Sequence, residues 1–232
     1  MSIQQTANNF DFSQYSQSRM SPFDELALNK LLSSFDSREL CILEIGSWLG
    51  AGSTQIFSRY ARKIVCVDHW QGNENREHKE IVAQLDPFYI FQENTRHFKE
   101  KVIPIRCHSS EIGEVVANGV FDFIFIDGDH RYQQTLSDIQ NSLPKLKAQG
   151  IICGHDCEGR LTEANKELII SNIGNDHIDS CFKNFVHMHP GVIMAVHETI
   201  QNVILFAEDE NRLTLESGET GHSSIWYKEC IR

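Results

Sequence analysis

Apolar and polar positions along the chain fall into blocks that predict strands and helices in alternation. The first 20 residues are polar and rich in Gln, Asn and Ser, which predicts a loose arm over 1–20. "SPFDELALNKLLSSF" follows, with Ser21 placed to cap a helix and Pro22 at its first position. Leu26, Leu28, Leu31 and Leu32 give that helix an apolar face. The short, near-continuous apolar runs "LCILEI", "KIVCVD", "VIPIRC", "FDFIFID" and "GIICGHD" then read as strands. Helical stretches separate them: "AGSTQIFSRYA", a polar segment from Glu74 to Phe98 broken at Pro87, "SEIGEVVAN", and "RYQQTLSDIQNSLPKLK". The last carries Tyr132, Leu136, Ile139, Leu143 and Leu146 at helical spacing.

Apolar strands that alternate with helices predict an α/β chain with a doubly wound, mostly parallel sheet, here as a single domain over 21–232. After Asp156 the rhythm breaks. Residues 158–189 are polar, rich in His and carry the helix-like "TEANKELIISNI", so they read as an insertion. "PGVIMAVHETI" resumes as a helix, and "NVILF", "RLTLES" and "SSIWYKE" are late strands, the last two forming a hairpin across "GETGH" and supplying an antiparallel late strand.

Composition narrows the partners. With 41% apolar residues in 232, a sizeable core is available. Lys and Arg number 21 against 32 Asp and Glu, a net charge of −11, which argues against nucleic acid or an anionic membrane as a partner. The N-terminus lacks an apolar signal region, and no apolar run approaches the roughly 20 residues that span a bilayer, so a cytoplasmic location is expected. The 7 cysteines show no framework spacing, and Cys41, Cys66 and Cys153 sit inside apolar runs as buried thiols would. "CGHDC" offers Cys153, His155 and Cys157 as zinc ligands, but no second cysteine pair completes four.

The glycine turn "CILEIGSWLGAGST" changes the picture most. It joins a strand to a helix, where backbone approaches a ligand at the carboxyl edge of a parallel sheet. No lysine follows its glycines, as a P-loop requires, and the spacing is G-x-x-x-G-x-G, not the G-x-G-x-x-G of a dinucleotide fold, which disfavours an NAD-dependent oxidoreductase. Glu44, Gly46 and Gly50 instead give the E-x-G-x-x-x-G shape of an S-adenosylmethionine turn, with Ser47 and Ser53 in the same stretch. Asp68 ends the next strand, 22 residues after Gly46, where a carboxylate accepts both ribose hydroxyls. His69 adjoins it, Trp70 is placed to cover the adenine, and Ser109 and Ser110 follow the third strand near the same ring.

With "LEIGSWLGAGS", "VDHWQG", "DPFYIFQENTR", "FDFIFIDGDHRYQQTLSDI", "LPKLKAQGIICGHD" and "HPGVIMAV" in this order, the chain resembles the class I S-adenosylmethionine-dependent methyltransferases. It is most similar to the branch with macrocin-type O-methyltransferases and cephalosporin-hydroxylase-like proteins. The likeness covers Leu40 to Asp156 and the helix at Pro190 to Val196. It implies a Rossmann-like methyltransferase fold, S-adenosylmethionine as cofactor, and a small-molecule or glycosylated hydroxyl acceptor. It leaves a homo-oligomer open, and also a non-catalytic module that binds the cofactor for regulation.

Catalytic candidates gather at two adjacent strand ends. "IDGDHRY" places Asp127, Asp129 and His130 after the fourth strand, and "GHD" places His155 and Asp156 after the fifth. Metal-dependent relatives use an Asp after strand four and a D-[DN] pair after strand five, which implies Mg²⁺ or Mn²⁺ on Asp127 and Asp156, with His155 as a further ligand. Cys157 stands where the second member of that pair is expected, and metal-free catalysis with His130 as base is the rival. Asp127 also touches the cofactor in this reading. The insertion at 158–189, which begins beside Asp156, is expected to act as a substrate cap.

Overall fold

The structure is a computed structural model, and it describes residues 13–36, 38–74, 76–180 and 182–230. The first half of the predicted arm lies outside them. Helix α1 (Pro22–Leu32) opens as expected: the Ser21 hydroxyl accepts from the Asp24 amide at 3.1 Å, and Asp24 Oδ2 accepts from the Ser21 amide at 3.0 Å. Strand β1 (Cys41–Ile45), helix α2 (Ser53–Tyr60), strand β2 (Lys63–Asp68), helices α3 (Arg76–Gln84) and α4 (Pro87–Thr95) and strand β3 (Val102–Arg106) follow. Then come the short helix α5 (Ile112–Val115), strand β4 (Phe121–Ile126), helix α6 (Tyr132–Ser142) and strand β5 (Leu146–Gly154). The insertion holds helix α7 (Lys166–Asn172) and a two-stranded ribbon of β6 (Ile178–Asp179) and β7 (His187–Met188). Helix α8 (Pro190–Thr199), strands β8 (Ile204–Leu205), β9 (Leu213–Thr214), β10 (Thr220–Gly221) and β11 (Trp226–Glu229) complete the chain.

The main sheet runs β3-β2-β1-β4-β5-β11-β8. The first five strands are parallel, and β11 pairs antiparallel with both β5 and β8. The two-residue period of each strand sends alternate side chains to opposite cores. Ile42, Ile64, Phe123 and Phe125 pack against Leu28 and Leu32 of α1 and Phe57 of α2. Leu43, Ile45, Ile124 and Ile126 pack against Ile139 of α6 and Val192, Ile193 and Val196 of α8. Each such side chain stabilises the fold by about 1.5–3 kcal/mol on burial, and the two-sided burial explains why these strands are predominantly apolar. Among the described residues no helix is long and apolar enough to cross a membrane.

Three expectations change. The helix through Tyr132 stops at Ser142, because Pro144 has no N–H to continue it; Leu143–Lys145 form a tight turn, and Leu146 already belongs to β5. The late hairpin pairs β9 with β10 inside "GETGH", while "SSIWYKE" leaves it to become β11 of the main sheet. Residues 13–20 of the arm are seated on the domain: Tyr15 packs beside Leu49, Ile81 and Ile90, and Asn94 Nδ2 donates to the Tyr15 carbonyl at 2.9 Å.

Candidate active site

The carboxyl ends of β1 and β4, where successive strands run off in opposite directions across the sheet, mark the place where an open α/β sheet leaves a crevice. Gly46 lies there with φ +86°, its amide donating to the Val67 carbonyl at 2.9 Å. A Cβ on Gly46 would collide with the Asp127 carbonyl, so the turn crosses the end of β4 only because the side chain is absent. Gly50 is also left-handed, at φ +68°. Beneath the turn, buried Glu44 accepts from Ser53 Oγ at 2.6 Å and Thr54 Oγ1 at 2.8 Å. Burial pushes its carboxyl above the usual range. Glu44 thus ties the start of α2 under the turn, and its side chain lines neither cavity described below, contrary to a direct role with the cofactor.

Two cavities open from this turn. The first, of about 480 Å³, is walled by Gly46, Trp48, Asp68, His69, Ser109 and Asp127, among others. The Asp68 carboxylate faces it while accepting from the Trp48 amide at 2.8 Å and the Trp70 amide at 2.6 Å. Burial holds that carboxyl above its ordinary value. Ser110 is exposed and is not part of this wall. Trp70 is not either: it is buried between Phe88 and Phe91, with its indole N–H on the Trp48 carbonyl at 2.6 Å. The ring on the cavity wall is Trp48, stacked on His78 at 4.1 Å, and its own indole N–H is buried without a protein partner.

The second cavity, of about 660 Å³, shares Gly46, Trp48, Asn73, His78, Asp127 and Gly128 with the first. Ser47, Gly50 and Ser53 of the turn face this side. His130, His155, Asp156, Asp176, His177 and His189 line its inner part, and Tyr15, Arg19 and Met20 of the arm its rim. Asp156, left-handed at φ +60°, is the hub. Its carboxylate lies 3.0 Å from His130 Nε2, 3.1 Å from His155 Nδ1 and 3.6 Å from His189 Nδ1. Asp127 Oδ1 lies 3.7 Å from His155 Nδ1 and 3.9 Å from His130 Nε2. Burial disfavours charge on His130 and His155, but the carboxylates around them outweigh it and hold both imidazoles well above their ordinary value. Burial likewise opposes ionisation of Asp156, and the three imidazoles reverse it, holding the carboxyl well below its ordinary value.

The other candidates separate. Asp129 is held by Arg131, accepting from its amide at 2.9 Å, and stands outside the cluster. Cys157 is buried with its thiol 3.6 Å from the Gly159 carbonyl, and burial raises its pKa well above the ordinary thiol value, so it supplies no ligand beside Asp156. Cys153 points into the core at the Ile124 carbonyl, 3.3 Å away, which removes the cysteine zinc site. The sequence had not singled out Asp24, Glu158, Asp176 or His189. The His-rich composition of the insertion and the motif "HPGVIMAV", which opens on His189, are the signals for His189; Asp24 lies in the first turn after the Ser21 cap and carries none of its own.

Residues 43–157 match a family described as a methyltransferase domain. This segment is a class I S-adenosylmethionine-dependent methyltransferase domain. An uncharacterised protein of Acanthamoeba polyphaga mimivirus is 29% identical over 119 residues, which cover 48% of this chain and 48% of that one. The chain therefore spans about half the length of the curated relative it matches. Among solved structures, a Corynebacterium glutamicum protein superposes with a TM-score of 0.56 at 11% identity, covering 98% of this chain and 94% of its own. An O-methyltransferase from Bacillus cereus in complex with SAH gives 0.51 at 17% identity, covering 89% and 80%. At such identities the likeness establishes the methyltransferase fold.

Proposed function

We propose that the protein transfers the methyl group of S-adenosylmethionine to a hydroxyl of a small or glycosylated acceptor. One observation carries this reading: the two cavities meet at Gly46, Asp127 and Gly128, so a cofactor in the first would present its methyl group to an acceptor in the second. The first cavity fits the cofactor. Its volume falls in the range of about 300–1,000 Å³ usual for such ligands, Gly46 leaves backbone bare for close approach, and Asp68 and Trp48 line the space. The second is walled by amides, imidazoles and carboxylates, including Gln14, Gln17, Gln84 and Glu77, together with Tyr15, Met20, Leu49 and Ile81, which suits an acceptor that carries hydroxyls beside apolar surface.

Methyl transfer is an in-line displacement: the acceptor oxygen bonds the methyl carbon, the carbon–sulfur bond breaks, and a neutral thioether leaves. The acceptor must lose its proton. His130 is poorly placed to take it, since Asp156 engages one of its nitrogens at 3.0 Å and Asp176 the other at 2.9 Å. Asp127, His155 and Asp156 have ligand atoms within 4.8 Å of one another and would hold a divalent cation. Such an ion lowers the pKa of a bound hydroxyl and orients it. The convergence of these groups on the meeting point of the cavities favours an enzyme over a non-catalytic binding module.

Replacing Asp68 with alanine should weaken S-adenosylhomocysteine binding by about 1–3 kcal/mol, the cost of leaving polar partners unpaired. Calorimetry checks this, and tighter binding of NADH than of S-adenosylhomocysteine would overturn the reading. The insertion is proposed as a cap that screens the acceptor from water, because Asp176, His177, His187 and His189 line the second cavity. It cannot be excised cleanly, since Ile169 of α7 is fully buried in the core. The test is therefore a pair of point changes: His177→Ala with His187→Ala should raise acceptor KM and leave S-adenosylhomocysteine affinity unaltered. An unchanged KM would refute the cap.

A further inference from the structure

The acidic pair after β4 and β5 is only part of what surrounds Asp156. Two interlocking sets of metal-ligand groups share that carboxylate: Asp127 with His155, and His130 with His189, the ligand atoms of each set lying within 4.8 Å of one another. A site built for Mg²⁺ would gather carboxylates, carbonyls and waters, since hard cations bind imidazole poorly. Here the place where a second carboxylate or amide is expected holds Cys157, turned into the protein, and imidazoles converge instead.

The second observation is a further acid at one nitrogen of each imidazole. His130 Nδ1, opposite the nitrogen that faces Asp156, meets Asp176 Oδ1 at 2.9 Å; His155 Nε2, likewise opposite, lies 3.2 Å from Asp24 Oδ2; and His189 Nδ1, the nitrogen that also lies nearest Asp156, meets Glu158 Oε1 at 2.7 Å. Glu158 is itself buried and also accepts from the His189 amide at 3.0 Å. A carboxylate behind a histidine fixes which nitrogen bears the proton and leaves the other lone pair available, the arrangement that supports imidazole ligands of transition metals. For a histidine that only fills space, one such partner is ordinary; three histidines around one carboxylate, each with a further acid at one of its nitrogens, are not. These backing acids come from α1 and the insertion, so separate parts of the chain have been brought to the same place.

Resting on the ion-assisted reading above, we propose that the cation is a first-row transition ion of the Fe²⁺, Co²⁺ or Zn²⁺ class, not Mg²⁺, with His130 and His189 as ligands beside Asp156. Two imidazoles and one carboxylate leave open positions on such an ion, where an acceptor hydroxyl can enter from the second cavity. His189 ends the insertion, so loading the ion would also fasten the cap to the body of the domain.

The test uses the whole chain, stripped with a chelator and dialysed, with Co²⁺ alone as the probe. Calorimetry and the visible absorption of bound Co²⁺ are read together. Co²⁺ should bind and resist displacement by about a thousandfold excess of Mg²⁺. His130→Ala and His189→Ala should each weaken Co²⁺ by at least about tenfold and alter its spectrum, with S-adenosylhomocysteine affinity retained as proof of folding. Should either variant fail to fold, Glu158→Gln, which leaves the ligands in place, should still weaken Co²⁺ by about 10–100-fold. Displacement by equimolar Mg²⁺, or an unaltered affinity and spectrum in these variants, would overturn the assignment alone. If neither ion bound, the ion-assisted reading would fall with it, while S-adenosylhomocysteine binding would report separately on the methyltransferase reading.

Discussion

Replacing Asp156 with asparagine should lower kcat/KM for methyl transfer by about 10²–10⁴-fold, the range for losing a positioned acid–base or charge-bearing group. Asparagine is the informative choice. Position 156 has φ +60°, which asparagine tolerates and alanine does not, so the backbone should stay where it is. The amide keeps the shape and one acceptor oxygen but discards the charge. That charge faces His130, His155 and His189 and is common to both ligand sets, so no neighbour replaces it. Asp156 lines the second cavity and not the first, so S-adenosylhomocysteine affinity should be unaffected. Steady-state kinetics with calorimetry on the same preparation separates the two quantities. A variant retaining a rate within about tenfold of the parent, a difference of only about 1.4 kcal/mol in barrier, would show that Asp156 does not serve the chemistry.

Much of this arrangement was legible in the sequence. The parallel strands were, because burial on both faces writes an unbroken apolar run that no surface strand needs. The glycine turn was legible because Gly46 sits where any side chain would strike Asp127. Asp127, His130, His155 and Asp156 could be grouped because adjacent parallel strands deliver their ends to the same edge. What failed to show depended on contacts far apart in the chain. Trp70 lies two residues after Asp68, yet it packs between Phe88 and Phe91 in the core and leaves the wall to Trp48. Glu44 sits in the cofactor motif but acts through Ser53 and Thr54 instead of reaching the cavity. Asp24 completes the cap begun by Ser21; that it also reaches His155 and Ser223 requires knowing where α1 docks. The short late strands carry too few residues for a periodic signal, so the partner of each is decided by the sheet edge available to it.

Stability should respond to pH through Asp138. Its carboxyl is buried on α6, where it accepts from Gln134 Nε2 at 2.8 Å, and the same amide reaches Ser109 Oγ at 2.9 Å. Burial pushes its pKa from 3.8 up to about 7, against the hydrogen bonds from Ser109 and Gln134. The sign follows from the proton count. Between these two values the folded protein keeps a proton that the unfolded chain has released, so stability falls as pH rises through that window. The slope is about 1.4 kcal/mol per pH unit, and the full loss is on the order of 4 kcal/mol. Asp138→Asn imitates the protonated acid: its amide can donate to Ser109 where the carboxylic proton would, and it never has to ionise. Urea unfolding of parent and variant from pH 5 to 8 should therefore show the variant gaining on the parent up to about pH 7, then running parallel to it. Taking the difference between the two proteins removes the contribution of the active-site histidines, which titrate in both. Curves parallel across the whole range would mean that the Asp138 carboxylate stays ionised in the fold, with its charge met by Ser109 and Gln134 alone.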